Sequence, residues 1–123
     1  MTLARRGCEG RCPVYSVTVA GDGTVTYKGF AYVAVQGSQR DHISTLASME
    51  LLDRFRQANF LAALPSYSGA YDGGYNVLTL QMGEKRYEVV DESGLEVGLP
   101  DAIFNLEEAM DKSTQSARWV KGK

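Results

Sequence analysis

The stretch that decides the fold is residues 7–19, Gly7-Cys8-Glu9-Gly10-Arg11-Cys12-Pro13-Val14-Tyr15-Ser16-Val17-Thr18-Val19, and Gly21-Asp22-Gly23 follows it closely. Glycine permits a positive φ and proline fixes φ, so the first half predicts a tight loop that leads into a strand. From Val14 to Ala20 the residues alternate with a period of two, which is typical of a half-buried strand. The Gly-Asp-Gly turn then predicts a hairpin, with a second strand from Thr24 to Lys28.

Cys8 and Cys12 are the only cysteines of the chain, and three chemistries use such a pair. A disulfide would close the short loop, and it requires an oxidising compartment. A metal site needs two more ligands, for which the chain offers only His42, and a thioredoxin-like redox pair has its cysteines two residues apart before a helix. We therefore favour a Cys8–Cys12 disulfide over two unpaired thiols in a reducing compartment, and we expect no metal and no cofactor.

The segment Gly7-Cys8-x-Gly10-x-Cys12-Pro13-x-Tyr15 and the Gly21-Asp22-Gly23 turn resemble the opening of a bacterial family of small domains of unknown function, found mostly in exported or envelope proteins. Ala58-Asn59-Phe60 and Arg118-Trp119-Val120 also fit the pattern of that family. The resemblance implies an exported α+β domain and carries no catalytic residues. Residues 1–6 lack the apolar core of a signal peptide. We therefore expect that this chain is the mature part of an extracytoplasmic (periplasmic or envelope-associated) protein, and that Met1 is an added residue.

The composition predicts one soluble globular domain over residues 1–123. Apolar residues make up 44% of the chain and charged residues 23%, which is ordinary for such a domain. The formal net charge of −2 provides no global field that would attract nucleic acid. No apolar run reaches the length of a transmembrane helix. We therefore expect neither a nucleic-acid partner nor a membrane span.

The same period-two alternation, together with glycine-containing turns, predicts three further strands: residues 30–36 after a break at Gly29, residues 76–82 and residues 85–91. It is also compatible with a short edge strand at Thr2–Arg6 and a short strand at residues 40–43.

Two helices are predicted, one from the N-cap residue Ser44 to about Ala58 and one that follows Pro100. Their apolar stripes at helical spacing are Met49, Leu52, Phe55 and Ala58 in the first helix and Ile103, Leu106 and Met110 in the second. Trp119-Val120 is expected to return and cap the core. These elements predict an α+β domain: an antiparallel meander sheet of five or six strands, with two helices packed on one face.

Residues 65–75 fit neither a helical nor a strand period, yet they contain three tyrosines, Tyr67, Tyr71 and Tyr75. A loop rich in tyrosine, serine and glycine resembles the composition of binding surfaces. We interpret this loop as the recognition surface for a protein, peptide or glycan, with Asp72 as a polar partner. The alternative is that the tyrosine rings lie back on the domain.

The sequence contains no phosphate loop, nucleophile elbow or dinucleotide fingerprint. The residues that a small hydrolase-like enzyme could use are Asp91, Glu92 and His42. Neighbouring residues of a strand point to opposite faces, so Asp91 and Glu92 do not naturally converge. The function that we favour is a non-catalytic extracytoplasmic binding or interaction domain. The alternatives are a structural or accessory assembly domain and, less favoured, the hydrolase-like enzyme.

Overall fold

The computed structural model describes residues 1–6, 12–67, 75–92 and 98–122. Its elements in chain order are β1 (Thr2–Arg6), β2 (Val14–Val19), β3 (Thr24–Ala31), β4 (Gly37–His42), α1 (Thr45–Gln57), β5 (Ser66–Tyr67), β6 (Asn76–Met82), β7 (Lys85–Asp91), α2 (Asp101–Thr114) and α3 (Ala117–Val120). A short 3₁₀ turn, Phe60–Ala62, lies between α1 and β5.

The strands of the described residues form one seven-stranded sheet in the order β4-β3-β2-β1-β6-β7-β5. Neighbouring strands are antiparallel except β5 and β7, which are parallel. This confirms the predicted α+β class, although the strand number is seven rather than five or six, since β5 adds a two-residue strand at one edge. β1, predicted at an edge, lies in the middle of the sheet, where Leu3 and Ala4 are buried.

The predicted strand over residues 30–36 is wrong. β3 continues through Gly29 to Ala31, and the chain then bends, with the backbone N–H groups of Ala34 and Val35 donating to carbonyl groups of α3. A Cβ atom at position 29 would lie 2.3 Å from the carbonyl oxygen of Val35 and 2.5 Å from the hydroxyl of Tyr27. Glycine is therefore required here for close packing inside a strand, rather than for a break in it.

The first helix begins as predicted, because the Ser44 hydroxyl accepts a hydrogen bond of 3.0 Å from the backbone N–H of Ala47. Phe55 is buried as predicted, but the rest of the buried face differs: Ser48 and Leu51 are buried, whereas Met49 is 58% exposed. The Ser48 hydroxyl donates to the carbonyl oxygen of Ala20 at 2.9 Å. A polar residue thus anchors α1 to the β2–β3 hairpin, and the apolar stripe alone does not reveal this.

The core lies between the sheet and the helices. Its residues include Leu51 and Phe55 of α1, Ile103, Leu106 and Met110 of α2, and the strand residues that face them, such as Leu3, Val17, Leu78 and Val89. Both long helices therefore pack on one face of the sheet, called the inner face below. Among the described residues, no helix is long and apolar enough to span a membrane.

The C-terminal helix closes one side of the core, as predicted for Trp119. Its ring is largely buried and lies 4.9 Å from the ring of Tyr27, which lies 5.9 Å from that of Tyr15. Arg118 stacks on Trp119 and forms an ion pair with Asp41 of β4. The edge strand β4 is therefore held to the end of the described chain.

Candidate functional site

A row of polar residues crosses the inner face of the sheet near the point where β1 ends. Strand pairing places Tyr15 opposite Arg5, Arg5 opposite Asn76 and Asn76 opposite Asp91. Paired residues on antiparallel strands share a face, so these four side chains line up side by side. Tyr67 continues the row as the parallel partner of Asp91.

Arg5 and Asp111 form one half of a polar network between this row and α2. The Nη2 and Nε atoms of Arg5 donate to Asp111 Oδ2 at 2.9 and 3.0 Å. The hydroxyls of Tyr15 and Ser116 donate to Asp111 Oδ1 at 2.7 and 2.6 Å. Four donors therefore satisfy the Asp111 carboxylate.

The contacts with Asp111 raise the pKa of both donors on the sheet, Arg5 and Tyr15. Burial acts to lower the pKa of Arg5, but the charge of Asp111 and the neighbouring Tyr15 raise it above its ordinary value. Burial and the charge of Asp111 raise the pKa of Tyr15. Both residues therefore keep their protons at physiological pH and act as hydrogen-bond donors.

Glu107 and Asp91 form the other half of the network. Glu107 is 1% exposed and Asp91 2% exposed. Burial, followed by a hydrogen bond to Asp91 and the charge of that residue, raises the pKa of Glu107 to about 9. Asn76 Nδ2 donates to Glu107 Oε1 at 3.3 Å, whereas Arg5 Nη1 lies 3.6 Å from the same oxygen. Arg5 thus only partly offsets the rise in the pKa of Glu107. Glu107 is therefore a neutral acid that donates a hydrogen bond to Asp91.

Glu107→Gln is expected to stabilise the protein increasingly as the pH rises from 5 to 9. The folded state holds the Glu107 proton up to about pH 9, whereas the unfolded chain releases it near the ordinary value of 4.5. The contribution of the protonated side chain is therefore fully present below pH 4.5 and is lost as the pH rises to about 9. Glutamine keeps the donor to Asp91 and the acceptor for Asn76 without this loss. Urea unfolding at several pH values should show a difference in the free energy of unfolding that grows by up to about 1.4 kcal/mol for each pH unit in this range.

Glu50→Gln is the matched control, because Glu50 is an exposed glutamate on α1. The free energy of unfolding of this variant should stay within about 0.5 kcal/mol of that of the unmodified protein at every pH. A Glu107→Gln difference that does not vary with pH would mean that Glu107 is ionised in the folded protein.

Three parts of the chain outside the described residues, 7–11, 68–74 and 93–97, all join the sheet at this same end. β1 leads into the first at Arg6, β5 into the second at Tyr67 and β7 into the third after Asp91. The strand pairing places these three strand ends side by side. We call this region the loop end and define it by the described residues Arg6, Val14, Tyr67, Tyr75 and Glu92. The polar network lies directly beneath it.

The loop end includes two of the four predicted binding residues. Tyr67 is 8% exposed, and its hydroxyl accepts a hydrogen bond of 3.1 Å from the backbone N–H of Leu64. Tyr75 is 42% exposed, and its carbonyl oxygen accepts from the backbone N–H of Arg6 at 2.9 Å. Tyr71 and Asp72 lie outside the described residues, and so does Cys8, the expected partner of Cys12. The recognition loop and the disulfide both stay predictions.

The residues considered for catalysis do not converge. Asp91 lies in the polar network, whereas His42 pairs with Thr24 at the opposite end of the sheet. Asp91 contacts Glu107 of α2 rather than its neighbour Glu92. The described part of the chain also contains no group of three His, Cys, Asp or Glu residues that could hold a metal ion.

The sequence reasoning missed Arg5, Glu107 and Asp111. A signal was present in α2, since Glu107 and Asp111 are four residues apart and each directly follows a buried apolar residue, Leu106 or Met110. Residues at that spacing share a helix face, so two acidic residues beside an apolar stripe are candidates for burial, and a buried carboxylate needs partners.

The comparisons with known proteins identify a family but no activity. A family described as a domain of unknown function (DUF6438) matches residues 1–114. The search of curated proteins finds no significant match. The match reaches from β1 through α2 and so includes every residue of the polar network except Ser116.

Proposed function

The chain belongs to the DUF6438 family, and we propose that it is a non-catalytic, extracytoplasmic binding domain that recognises a protein, peptide or glycan at the loop end. One observation carries this proposal. The ends of β1, β5 and β7, which precede three connecting segments in the chain, lie at one end of the sheet beside the start of β6 and the exposed residue Tyr75. Connecting segments on a rigid scaffold are where binding residues concentrate.

The polar network supports this proposal because it makes the base of the loop end rigid. Arg5 links β1 to α2 through Asp111, and Glu107 links α2 to β7 through Asp91. Networks of satisfied buried polar groups hold their elements in one arrangement. The strand ends that flank the three segments are thus held at fixed separations, which lowers the ordering cost of binding.

Burial of the carboxyl groups favours binding over catalysis. A general acid or base must come within hydrogen-bond reach of its substrate. Asp91 and Glu107 are nearly inaccessible to solvent and are hydrogen-bonded to each other, and Glu107 also accepts a hydrogen bond from Asn76. Their arrangement therefore suits a structural role beneath the loop end.

Tyr75→Ala is expected to weaken partner binding by at least about 1 kcal/mol, with little change in melting temperature. The physical reason is that an exposed tyrosine supplies contact area and a hydroxyl without being part of the core. The partner is first identified with a photo-reactive phenylalanine analogue at position 75, in cells that make the protein from its own gene. Binding of that partner is then measured by titration.

Met82 provides the matched control, because it is exposed at the opposite end of β6. The photo-reactive group at position 82 should give no adduct, and Met82→Ala should leave the affinity unchanged. Adducts that form equally at both positions, or a partner recovered only from the cytoplasm, would refute the proposed function.

A further inference from the structure

The outer face of the sheet, opposite the helices, has three exposed basic residues that lie along an oblique line, called the basic line below: Arg40, Lys28 and Arg6. The register of β3 with β4 sets Lys28 one strand away from Arg40 and two residues closer to the loop end. The registers of β2 with β3 and β1 set Arg6 two strands further on and another two residues forward. Strand spacing and rise therefore separate the Cα atoms of successive members by about 8 and 12 Å.

No acidic residue accompanies the basic line. Within the described strands, the one acidic residue of the outer face is Glu88 on β7, and it is already paired with Arg86 of the same strand. None of the three basic residues forms an ion pair within the part of the chain that the structure describes. The chain as a whole has a formal net charge of −2, so positive charge is concentrated here on an acidic protein.

Protection of a sheet edge does not account for this arrangement. Edge strands often have charged residues, which prevent pairing with another sheet, and β4 is an edge strand. Lys28 and Arg6, however, lie on the interior strands β3 and β1. Protein surfaces normally mix charges of both signs. A line of cations without acids therefore indicates a surface that attracts an anionic ligand.

Apolar groups lie beside the basic line, near the loop end. Phe30, two residues after Lys28 and therefore on the same face, is 54% exposed, and Tyr75 on the strand next to β1 is 42% exposed. Val14 and Val77 are half-buried but belong neither to the core nor to the residues packed against it. Aliphatic side chains of a ligand would cover these valines. An acidic peptide has such side chains, whereas a nucleic acid or a sulfated glycan does not.

We propose that the partner recognised at the loop end presents an extended, acidic peptide segment that lies along the basic line. Its carboxylates would pair with the three cations, and its apolar side chains would cover Phe30 and the adjacent valines. An extended peptide advances about 3.4 Å per residue, so the spacings in the line correspond to acidic residues about two to four positions apart. This inference rests on the proposed function, because Arg6 belongs to the loop end.

Calorimetric titration of the purified protein with synthetic peptides tests the inference. The probe is a twelve-residue peptide with glutamate at every third position and valine and serine between, and the control peptide has glutamine in place of glutamate. The glutamate peptide should bind roughly tenfold more tightly, because three exposed ion pairs each add a little to the affinity. Raising the salt concentration from about 20 to about 200 mM should remove most of this difference.

Charge reversal in the middle of the line provides the second measurement. Lys28→Glu should weaken binding of the glutamate peptide by at least about fivefold, since it replaces an attraction by a repulsion. Lys85→Glu is the matched control, because Lys85 is an exposed lysine at the opposite end of β7 from the loop end, and it should leave the affinity unchanged. Lys28→Glu combined with Arg40→Glu should prefer a peptide with lysine at every third position, which damage to the fold would not produce. Thermal melts check that each variant is folded.

Equal affinity for the glutamate and glutamine peptides would overturn the inference, and so would a Lys28→Glu effect no larger than that of Lys85→Glu. Heparin or oligothymidine that binds more tightly than the glutamate peptide would show a polyanion site instead. The partner cross-linked at position 75 separates this inference from the proposed function. An adduct in a segment without acidic residues would refute the peptide and leave the function. Equal adducts at positions 75 and 82 would refute the function, whereas the titrations would still decide what the basic line binds.

Discussion

Phe55→Ala is expected to lower the free energy of unfolding by about 3–5 kcal/mol. The ring is 0% exposed and packs edge-on against Phe60, with 5.0 Å between the ring centroids. Truncation removes its burial and leaves a cavity between α1 and the 3₁₀ turn, which a close-packed core cannot fill. Urea unfolding monitored by circular dichroism measures the loss.

Met49→Ala is the matched control on the same helix. Met49 is exposed, so this substitution should change stability by no more than about 0.5 kcal/mol. If Phe55→Ala cost no more than Met49→Ala, α1 would have to present another face to the sheet.

Arg5→Ala is expected to cost roughly 3 kcal/mol, because it leaves the Asp111 carboxylate without its cation. The side chains of this pair are 22% and 21% exposed, so the expected cost is at the lower end of that for a buried pair. The same substitution also removes the positive charge that lowers the pKa of Glu107. Unfolding in guanidinium chloride at pH 7 is a suitable measurement. This denaturant is a salt, and it screens exposed ion pairs much more strongly than the partly buried pair of Arg5 and Asp111.

A second substitution distinguishes the lost ion pair from lost packing. Adding Asp111→Asn to Arg5→Ala should recover part of the stability, because the uncompensated charge is then removed. Arg56→Ala, which breaks an exposed pair with Asp53, should cost less than about 1 kcal/mol. An Arg5→Ala cost as small as that of Arg56→Ala would contradict the described network.

Sequence patterns predicted well those strands in which neighbouring residues differ clearly in polarity. Val14 to Val19 alternates between the inner and outer faces and forms β2, and the Asn76–Met82 and Lys85–Asp91 strands appear as expected. Hairpins depend on turns a few residues long, so their pairing is local information. The central position of β1 was missed, because it pairs with β6, more than seventy residues away.

Local sequence patterns failed to predict the role of a residue where that role depends on a contact with a residue of another element. Gly29 looks like a strand break until the carbonyl of Val35 and the hydroxyl of Tyr27 are seen against it. Ser48 looks like a solvent-facing residue until its bond to Ala20 is seen. In each case the partner lies on another element, and its position depends on the packing.

The sequence by itself determined the α+β class, the hairpins and both long helices. These follow from residue periodicity and turn chemistry, which act over a few residues. Only the tertiary structure decided which polar residues meet. Arg5 and Asp111 are 106 residues apart in sequence, and Asp91 finds its partner in α2 rather than in Glu92. The strand order also decided that the ends of β1, β5 and β7 lie at one end of the sheet. Such arrangements depend on which strands become neighbours, and that is set by the burial of the whole core.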